Sequence, residues 1–360
     1  MLIEDKILLF LDKFQFLTYK KKLNIYELLC REDFFDRFSK SYATIEQIIS
    51  YSQFSTMCID LKNNNIDDYI ESIKKKGIVT VTVNSKFYPT FLKNIDNPPF
   101  VLYCKGHVEL LNELNSNFAI VGTRRPTNYG KQVTEKFAKE LTENGFNIVS
   151  GLADGVDTIS QSTCLKNGGK TISVLAGGLD YIYPPSNKLL SEEIVKNGLL
   201  VTEKPPFYRA VNYDFPYRNR IIAGLSCGVL ITEASLKSGT MYTKEYALNY
   251  GKELFVVPGN ITSSSSEGCN ALLKDLRIAM VTNIDDILEN FNKTAKPVRT
   301  QSIQLSIDEA IVYDILKAGE KTFDEILLSS NFDTITLSTL LTKMSLRGII
   351  KKTAGNSYSI

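Results

Sequence analysis

An α/β fold is what this sequence predicts: an extended Rossmann-like, doubly wound parallel sheet, with a small N-terminal helical module and a C-terminal winged helix. Three observations predict it. From Phe118 to Val257, short continuous apolar runs alternate with helical stretches, the signature of strands covered on both faces of a parallel sheet. Before residue 77 the apolar residues recur at helical spacing. Beyond residue 304, three helical segments precede a terminal hairpin, the order of a winged helix, a helix-turn-helix relative.

Residues 1–76 read as a helical module, SAM- or helix-hairpin-helix-like. Ile7, Leu8, Phe10, Leu11 and Phe14 form one periodic set and Tyr26, Leu28 and Leu29 another. Thr44 with Gln47 resembles a capping box before Ile48 and Ile49. A short helix over 67–76 is closed by Gly77. No Gly-x-Gly hairpin turn is present, so a packing or adaptor role is favoured over DNA contact. The core spans 77–290. Ile78–Val83 and Phe100–Cys104 are expected as extra strands. Strands then follow at 118–121, 146–150, 171–175, 199–202, 229–231 and 254–257, with helices at about 129–144, 188–196 and 241–250. Right-handed crossovers make this a doubly wound sheet. Residues 291–304 read as a linker, and 305–360 as the winged helix, whose third helix carries the stripe Leu337, Leu340, Leu341 and Met344. That helix exposes only Lys343 and Arg347 as cations, so a packing or partner role is favoured over reading DNA.

Charge narrows the function classes. The 360 residues carry a formal net charge of +2. Lys and Arg balance Asp and Glu at 12 each in residues 1–76 and at 21 each in the middle, with 9 against 7 from 291 onward. A polyanion must therefore meet a local convergence of cations rather than a broad basic field. The six cysteines show no C-x-x-C spacing and His107 is the single histidine, which supports neither a zinc site nor a disulfide framework and suits a reducing cytoplasm. No apolar run is long enough to span a bilayer, so no membrane association is expected.

In an open parallel sheet, ligands bind beyond the carboxyl ends of the strands. Here those loops are Gly122-Thr123-Arg124, Ser150-Gly151-Leu152-Ala153-Asp154-Gly155-Val156-Asp157, Ala176-Gly177-Gly178, Lys237-Ser238-Gly239-Thr240 and Pro258-Gly259-Asn260. Small residues let an anion approach backbone N–H groups, and Ser238, Gly239 and Thr240 open a helix whose free amides can hold a phosphate. Phe215-Pro216-Tyr217-Arg218-Asn219-Arg220 enters a further helix. A cationic first turn there opposes the macrodipole unless an anion is bound. Arg124, Lys237, Arg218 and Arg220 are thus expected to converge, with Phe215, Tyr213 and Tyr217 placed to stack bases.

No acid–base–nucleophile triad, Walker lysine loop or G-x-G-x-x-G is present, so the chain reads as a binding protein with no catalytic residues, cofactor or metal. Asp154, Asp157 and Glu233 are open to either acid–base or helix-capping roles, the latter favoured. His107 reads as structural.

Five ordered motifs carry a resemblance over about residues 78–290. They are Ala119-Ile120-Val121-Gly122-Thr123-Arg124; Ser150-Gly151-Leu152-Ala153 with Gly155-Val156-Asp157; Gly178-Leu179-Asp180 before Tyr183-Pro184-Pro185; the segment Phe215 to Ser226; and Glu233-Ala234 through Ser238-Gly239-Thr240. Together they resemble the bacterial DNA-processing protein A family, also called Smf. The resemblance implies a homodimeric single-stranded DNA-binding recombination mediator, which protects incoming strands during natural transformation and helps load the RecA recombinase. It implies a DNA pocket at Thr123, Arg124, Gly151, Phe215, Arg218, Asn219, Arg220, Lys237, Ser238, Gly239 and Thr240. Asp154 departs from the family's usual basic or neutral residue. The rival readings are a nucleotide phosphoribohydrolase-like enzyme, loosely echoed by Glu233 and Gly239-Thr240, and a winged-helix regulator with the core as its sensor.

Overall fold

Residues 2–291, 305–353 and 356–359 are described by the computed structural model. Contacts divide the chain into two compact units, Met1–Lys296 and Pro297–Ile360. The first is built on nine strands: β1 (Val79–Thr82), β2 (Val101–Gly106), β3 (Asn117–Val121), β4 (Asn147–Ser150), β5 (Thr171–Val174), β6 (Leu199–Thr202), β7 (Gly228–Ile231), β8 (Glu253–Val256) and β9 (Ala279–Met280). Their order is β1-β2-β6-β5-β4-β3-β7-β8-β9. Strands β6 through β9 run parallel, while β1 and β2 add on antiparallel.

The continuous apolar runs have the expected cause. Every residue of β3 to β7 is buried, because helices cover both faces. The register of β3 with β7 sets Phe118 against Gly228 and Val121 against Ile231. A Cβ on Gly228 would lie 2.8 Å from the Phe118 ring, so glycine permits that packing. From β3 the chain steps outward through β4, β5 and β6, then returns to β7 on the opposite side of β3. The strand order reverses there, which makes the carboxyl ends of β3 and β7 the switch point where a doubly wound sheet binds its ligands. The α/β sheet is the one the sequence predicts; β9 and the helix Glu267–Leu272 were not expected.

The N-terminal helices share their core with the added strands. Ile7, Leu8, Phe10, Phe34, Phe38 and Met57 cluster with Ile78, Phe100, Val101 and Tyr103. Phe10 meets Phe14, Phe34, Phe35 and Phe38 edge-on at 5.2–5.9 Å between ring centroids, the geometry the ring quadrupoles favour. Asp12 accepts from Lys22 Nζ at 2.8 Å and from the Tyr103 hydroxyl at 3.0 Å, all three groups buried. This tie joins the helix Ile3–Asp12 to β2, so the helices form one body with the sheet. The capping box lies one helix later than expected. Ser50 and Gln53 form it, ahead of the helix Tyr51–Asn63, while Thr44 falls inside a four-residue turn.

The second unit has helices Ile307–Lys317, Phe323–Ser330 and Thr334–Leu346. Strands β10 (Lys321–Thr322), β11 (Lys351–Thr353) and β12 (Ser357–Ser359) form an antiparallel sheet in the order β10-β12-β11. Leu337, Leu341 and Met344 are buried in its core with Val312, Ile326 and Tyr358. The expected linker falls almost wholly outside the described residues, as does Gly355 of the hairpin turn. Glu309 engages both cations of the third helix: Arg347 Nη1 at 2.7 and 2.8 Å and Lys343 Nζ at 3.2 Å. The Ser306 backbone N–H and these cations hold the Glu309 carboxyl down to about 2, against an ordinary 4.5. A carboxylate with a depressed folded-state value stabilises above its unfolded value and stops doing so as pH falls through the folded one. Acid titration followed by circular dichroism is therefore expected to show this unit losing stability between about 4.5 and about 2, and Glu309→Gln is expected to flatten that response. An unchanged acid profile in the variant would refute it.

Among the described residues no helix is long and apolar enough to cross a membrane.

Candidate nucleic-acid interface

A cavity of about 520 Å³ opens at the switch point. Its floor and walls come from the loop after β3 (Gly122, Thr123, Arg124), the loop after β4 (Ala153, Asp157), the segment Ser235 to Thr240 beyond β7, and the helix Asp214–Gly224 (Phe215, Arg218, Asn219, Ile222). Eight of the eleven residues implied by the resemblance line it: Thr123, Arg124, Phe215, Arg218, Asn219, Ser238, Gly239 and Thr240.

Backbone hydrogen bonds hold the loops in place. Thr123 N donates to the Glu233 carbonyl at 2.8 Å, and Val156 N to the Thr123 carbonyl at 3.2 Å. Gly155 has φ +81°, and a Cβ there would lie 2.4 Å from the Thr123 carbonyl oxygen, so only glycine lets the two loops touch. Asp157 Oδ2 accepts from Gly151 N at 3.0 Å and Ala153 N at 3.3 Å. Burial pushes its carboxyl up, and the Arg218 charge pulls it back down. Glu233 is buried and accepts from Thr127 N at 2.8 Å and Thr127 Oγ1 at 2.6 Å, at the start of the helix Asn128–Glu143. Asp157 and Glu233 are therefore structural acceptors. Asp154 is exposed and accepts from Ser186 Oγ at 3.1 Å. His107 bridges Glu109 at 3.1 Å and the Lys196 carbonyl at 3.0 Å on the surface.

The four expected cations separate. Arg124 is exposed, with its guanidinium 5.3 Å from the centre of the Phe215 ring, and the Tyr183 ring lies 5.5 Å from the same ring. Arg218 is buried. Its Nη1 donates to the Gly151 carbonyl at 2.7 Å and to the Val174 carbonyl, and its Nε to Asn219 Oδ1 at 3.1 Å. Burial lowers its value to about 10, with Asp157 opposing and Arg124 adding to the shift. Arg218 thus clasps the ends of β4 and β5 and remains charged at neutral pH. Gly151 stands behind it, since a Cβ there would lie 2.4 Å from Arg218 Nη2. Lys237 is exposed on the loop beyond β7 and does not line the cavity.

Arg220 is turned away. It is 1% exposed, pairs with Glu203 and lies 4.2 Å over the Tyr217 ring. Tyr213, Tyr217 and Arg220 face a second cavity on the opposite side of the helix. Helical periodicity causes the split, because residues three or four apart share a face and residues two apart do not. The expected cationic first turn is also corrected. The helix opens on Asp214, and both arginines fall beyond its first turn. Asp214 pairs with Lys204 Nζ at 2.9 Å and accepts from Tyr208 Oη at 3.0 Å and Val211 N at 2.8 Å, so an acid occupies the end the macrodipole favours.

At the other helix entrance, Thr240 N donates to Ser238 Oγ at 3.2 Å and Ser238 Oγ to Thr240 Oγ1 at 2.9 Å. A Cβ at Gly239 would meet open space, leaving this helix start accessible from the cavity. Tyr183, Asn212, Tyr242 and Thr243 also line the site. Of these, only Tyr183 stood in a sequence motif, and its pairing with Phe215 depends on the fold.

The family model described as DNA recombination-mediator protein A matches residues 79–292. The chain belongs to that family. It is 41% identical to DNA processing protein DprA of Bacillus subtilis over 220 residues, 61% of this chain and 73% of that protein. It is 38% identical to DNA processing protein DprA of Streptococcus pneumoniae over 226 residues, 63% of this chain and 79% of that one. The solved structure of the Streptococcus pneumoniae protein matches with a TM-score of 0.69 at 32% identity, covering 82% of this chain and 100% of that chain. A Helicobacter pylori structure, reported for its unique single-stranded DNA binding mode, matches with a TM-score of 0.54 at 38% identity over 61% of this chain and 97% of that one. The family resemblance carried by the motifs is borne out, and with it membership of a family of DNA recombination mediators.

Proposed function

We propose that this chain binds single-stranded DNA at the switch-point cavity, shields incoming strands, and helps load the RecA recombinase during natural transformation, acting in the cytoplasm as a homodimer. The observation that carries the reading is the mouth of the cavity. An exposed guanidinium and two aromatic rings, Arg124 with Phe215 and Tyr183, line the same cavity as a helix entrance. A phosphate suits the guanidinium and the amides, and the rings offer base stacking that is indifferent to sequence. A near-neutral chain lacks the long cationic track a duplex requires. The single-stranded DNA of the Helicobacter pylori relative's report supports the same ligand class.

A gel shift of oligo-dT against duplex of equal length over a salt series tests the binding. Single strands are expected to bind tighter at every salt concentration, and equal or tighter duplex binding would refute the reading. Loading is tested by whether the protein restores RecA filament growth on strands coated with a single-strand-binding protein.

Leu276 and Met280, just before and within the edge strand β9, are exposed, which supports pairing of two copies through the core. Two linked sites raise avidity without new contacts. Light scattering of the full chain at micromolar concentration is expected to return a dimer, and a monomer would remove this part of the proposal.

A further inference from the structure

The Asp214–Gly224 helix is a partition between two cavities. Phe215, Arg218, Asn219 and Ile222 face the first, while Tyr213, Tyr217 and Arg220 face the second, a cavity of about 470 Å³ between the N-terminal helices and the sheet. That volume lies inside the range of roughly 300–1,000 Å³ typical of small-ligand sites. Its far wall is the helix Tyr19–Leu29 with the Asn97–Phe100 turn.

The lining is aromatic and cationic. Tyr19 stacks on Phe100 with centroids 4.9 Å apart and planes 22° from parallel. Tyr217 lies beneath the Arg220 guanidinium, and Tyr213 is 66% exposed at the rim. Most of the charge is answered internally: Lys22 by Asp12, Lys204 by Asp214 and Arg220 by Glu203. Two features are not. Lys20 is exposed at the start of its helix and has no acidic partner among the described residues. Arg220, almost fully buried in the cavity wall, has no acceptor for Nε or Nη1 among the described residues. A buried donor without a partner is unfavourable by about 1–3 kcal/mol, and more on a charged group, so Arg220 holds two unanswered donors within the wall of this cavity.

Asn212 lines the first cavity and the next residue, Tyr213, lines the second, and both are exposed. A strand leaving the first cavity over Phe215 would reach the second by rounding this exposed corner.

We propose that the second cavity is a nucleotide subsite continuing the single-strand path, with a base against Tyr213 and Tyr217 and the phosphodiester near Lys20. This rests on the reading of the first cavity as the single-strand site. The contacts carry no sequence preference because stacking and phosphate contacts read none. The helical module thereby becomes part of the binding surface, a role its near-neutral composition conceals.

The test uses the full chain and fluorescent oligo-dT of two lengths, about six and about twenty nucleotides, the short one sized to a single cavity. Lys20 and Tyr213 are exposed, so K20E with Y213A should fold, which a thermal melt checks. The double variant is expected to bind the short strand within about twofold of the parent and the long strand about tenfold more weakly, the loss of one stacked base and one phosphate contact. A long oligonucleotide carrying 5-iodouracil is expected to cross-link to a peptide containing Tyr213 or Tyr19 in the parent. If the parent binds both lengths and the variant matches it on the long one, or if both lengths weaken equally, the subsite is overturned and the first site stands. Cross-links confined to the first cavity overturn it as well. If the parent binds neither length, the reading of the first cavity fails and the subsite fails with it.

Discussion

Arg220→Ala is expected to destabilise the protein by about 3–5 kcal/mol, the range for removing one partner of a buried ion pair. Arg220 heads the fully buried side chains, at 1% exposure. Its removal leaves Glu203 without its countercharge, takes the guanidinium from the Tyr217 ring, and opens a void between the helix and the N-terminal module. Arg220→Met retains much of the volume and separates the two causes. If lost charge dominates, Arg220→Met alone stays strongly destabilised, while Arg220→Met with Glu203→Gln recovers most of the loss, since replacing both members of a buried pair is often close to neutral. Urea denaturation followed by circular dichroism measures this. A single-mutant loss below about 1 kcal/mol, the ceiling for a typical surface ion pair, would show that the pair is dispensable.

Arg124→Ala is expected to act in the opposite way, leaving stability alone and weakening single-strand binding by about 1–3 kcal/mol, the magnitude of a hydrogen bond to a charged group. The side chain is exposed and rests on Phe215, so little packing goes with it. A guanidinium grips phosphate through two parallel N–H donors, which lysine does not reproduce, so Arg124→Lys should recover only part of the loss. The deficit should be similar for oligo-dT and oligo-dC, because phosphate contacts carry no base information. The slope of log affinity against log salt should shrink by about 0.7, the value for one single-strand phosphate. Early melting, or parental affinity with the parental salt slope, would move Arg124 out of the DNA site. Arg124 and Arg220, equal as candidates in the linear sequence, are thus expected to fail in separate assays.

The strand-end loops were legible because their chemistry is local. Gly122-Thr123-Arg124 and Ser238-Gly239-Thr240 each follow an apolar strand, and a doubly wound sheet brings such loops together whatever the surrounding detail. Glu233 was ambiguous in sequence, since a carboxylate near a glycine loop serves catalysis or capping equally well. Its two bonds from Thr127, a residue 106 positions away, resolve it. Tyr183 stood in a motif with no visible partner, and only the fold brings it to Phe215.

By itself the sequence determined the α/β class, the run of strands from β3 to β8 and the family, because continuous apolar runs, helix periods and short motifs are properties of neighbouring residues. Tertiary structure alone decided which cations meet. Arg218 and Arg220 sit two residues apart, a spacing that places them about 200° apart around a helix. Which face looks onto the sheet ends and which onto the N-terminal module depends on how Ile221, Ile222 and Leu225 pack against the core. The same packing set the N-terminal helices against β1 and β2, where a buried ion pair tied to the Tyr103 hydroxyl joins segments some 90 residues apart. No local pattern encodes that distance, because the energy comes from burying surfaces that only the folded chain brings into contact.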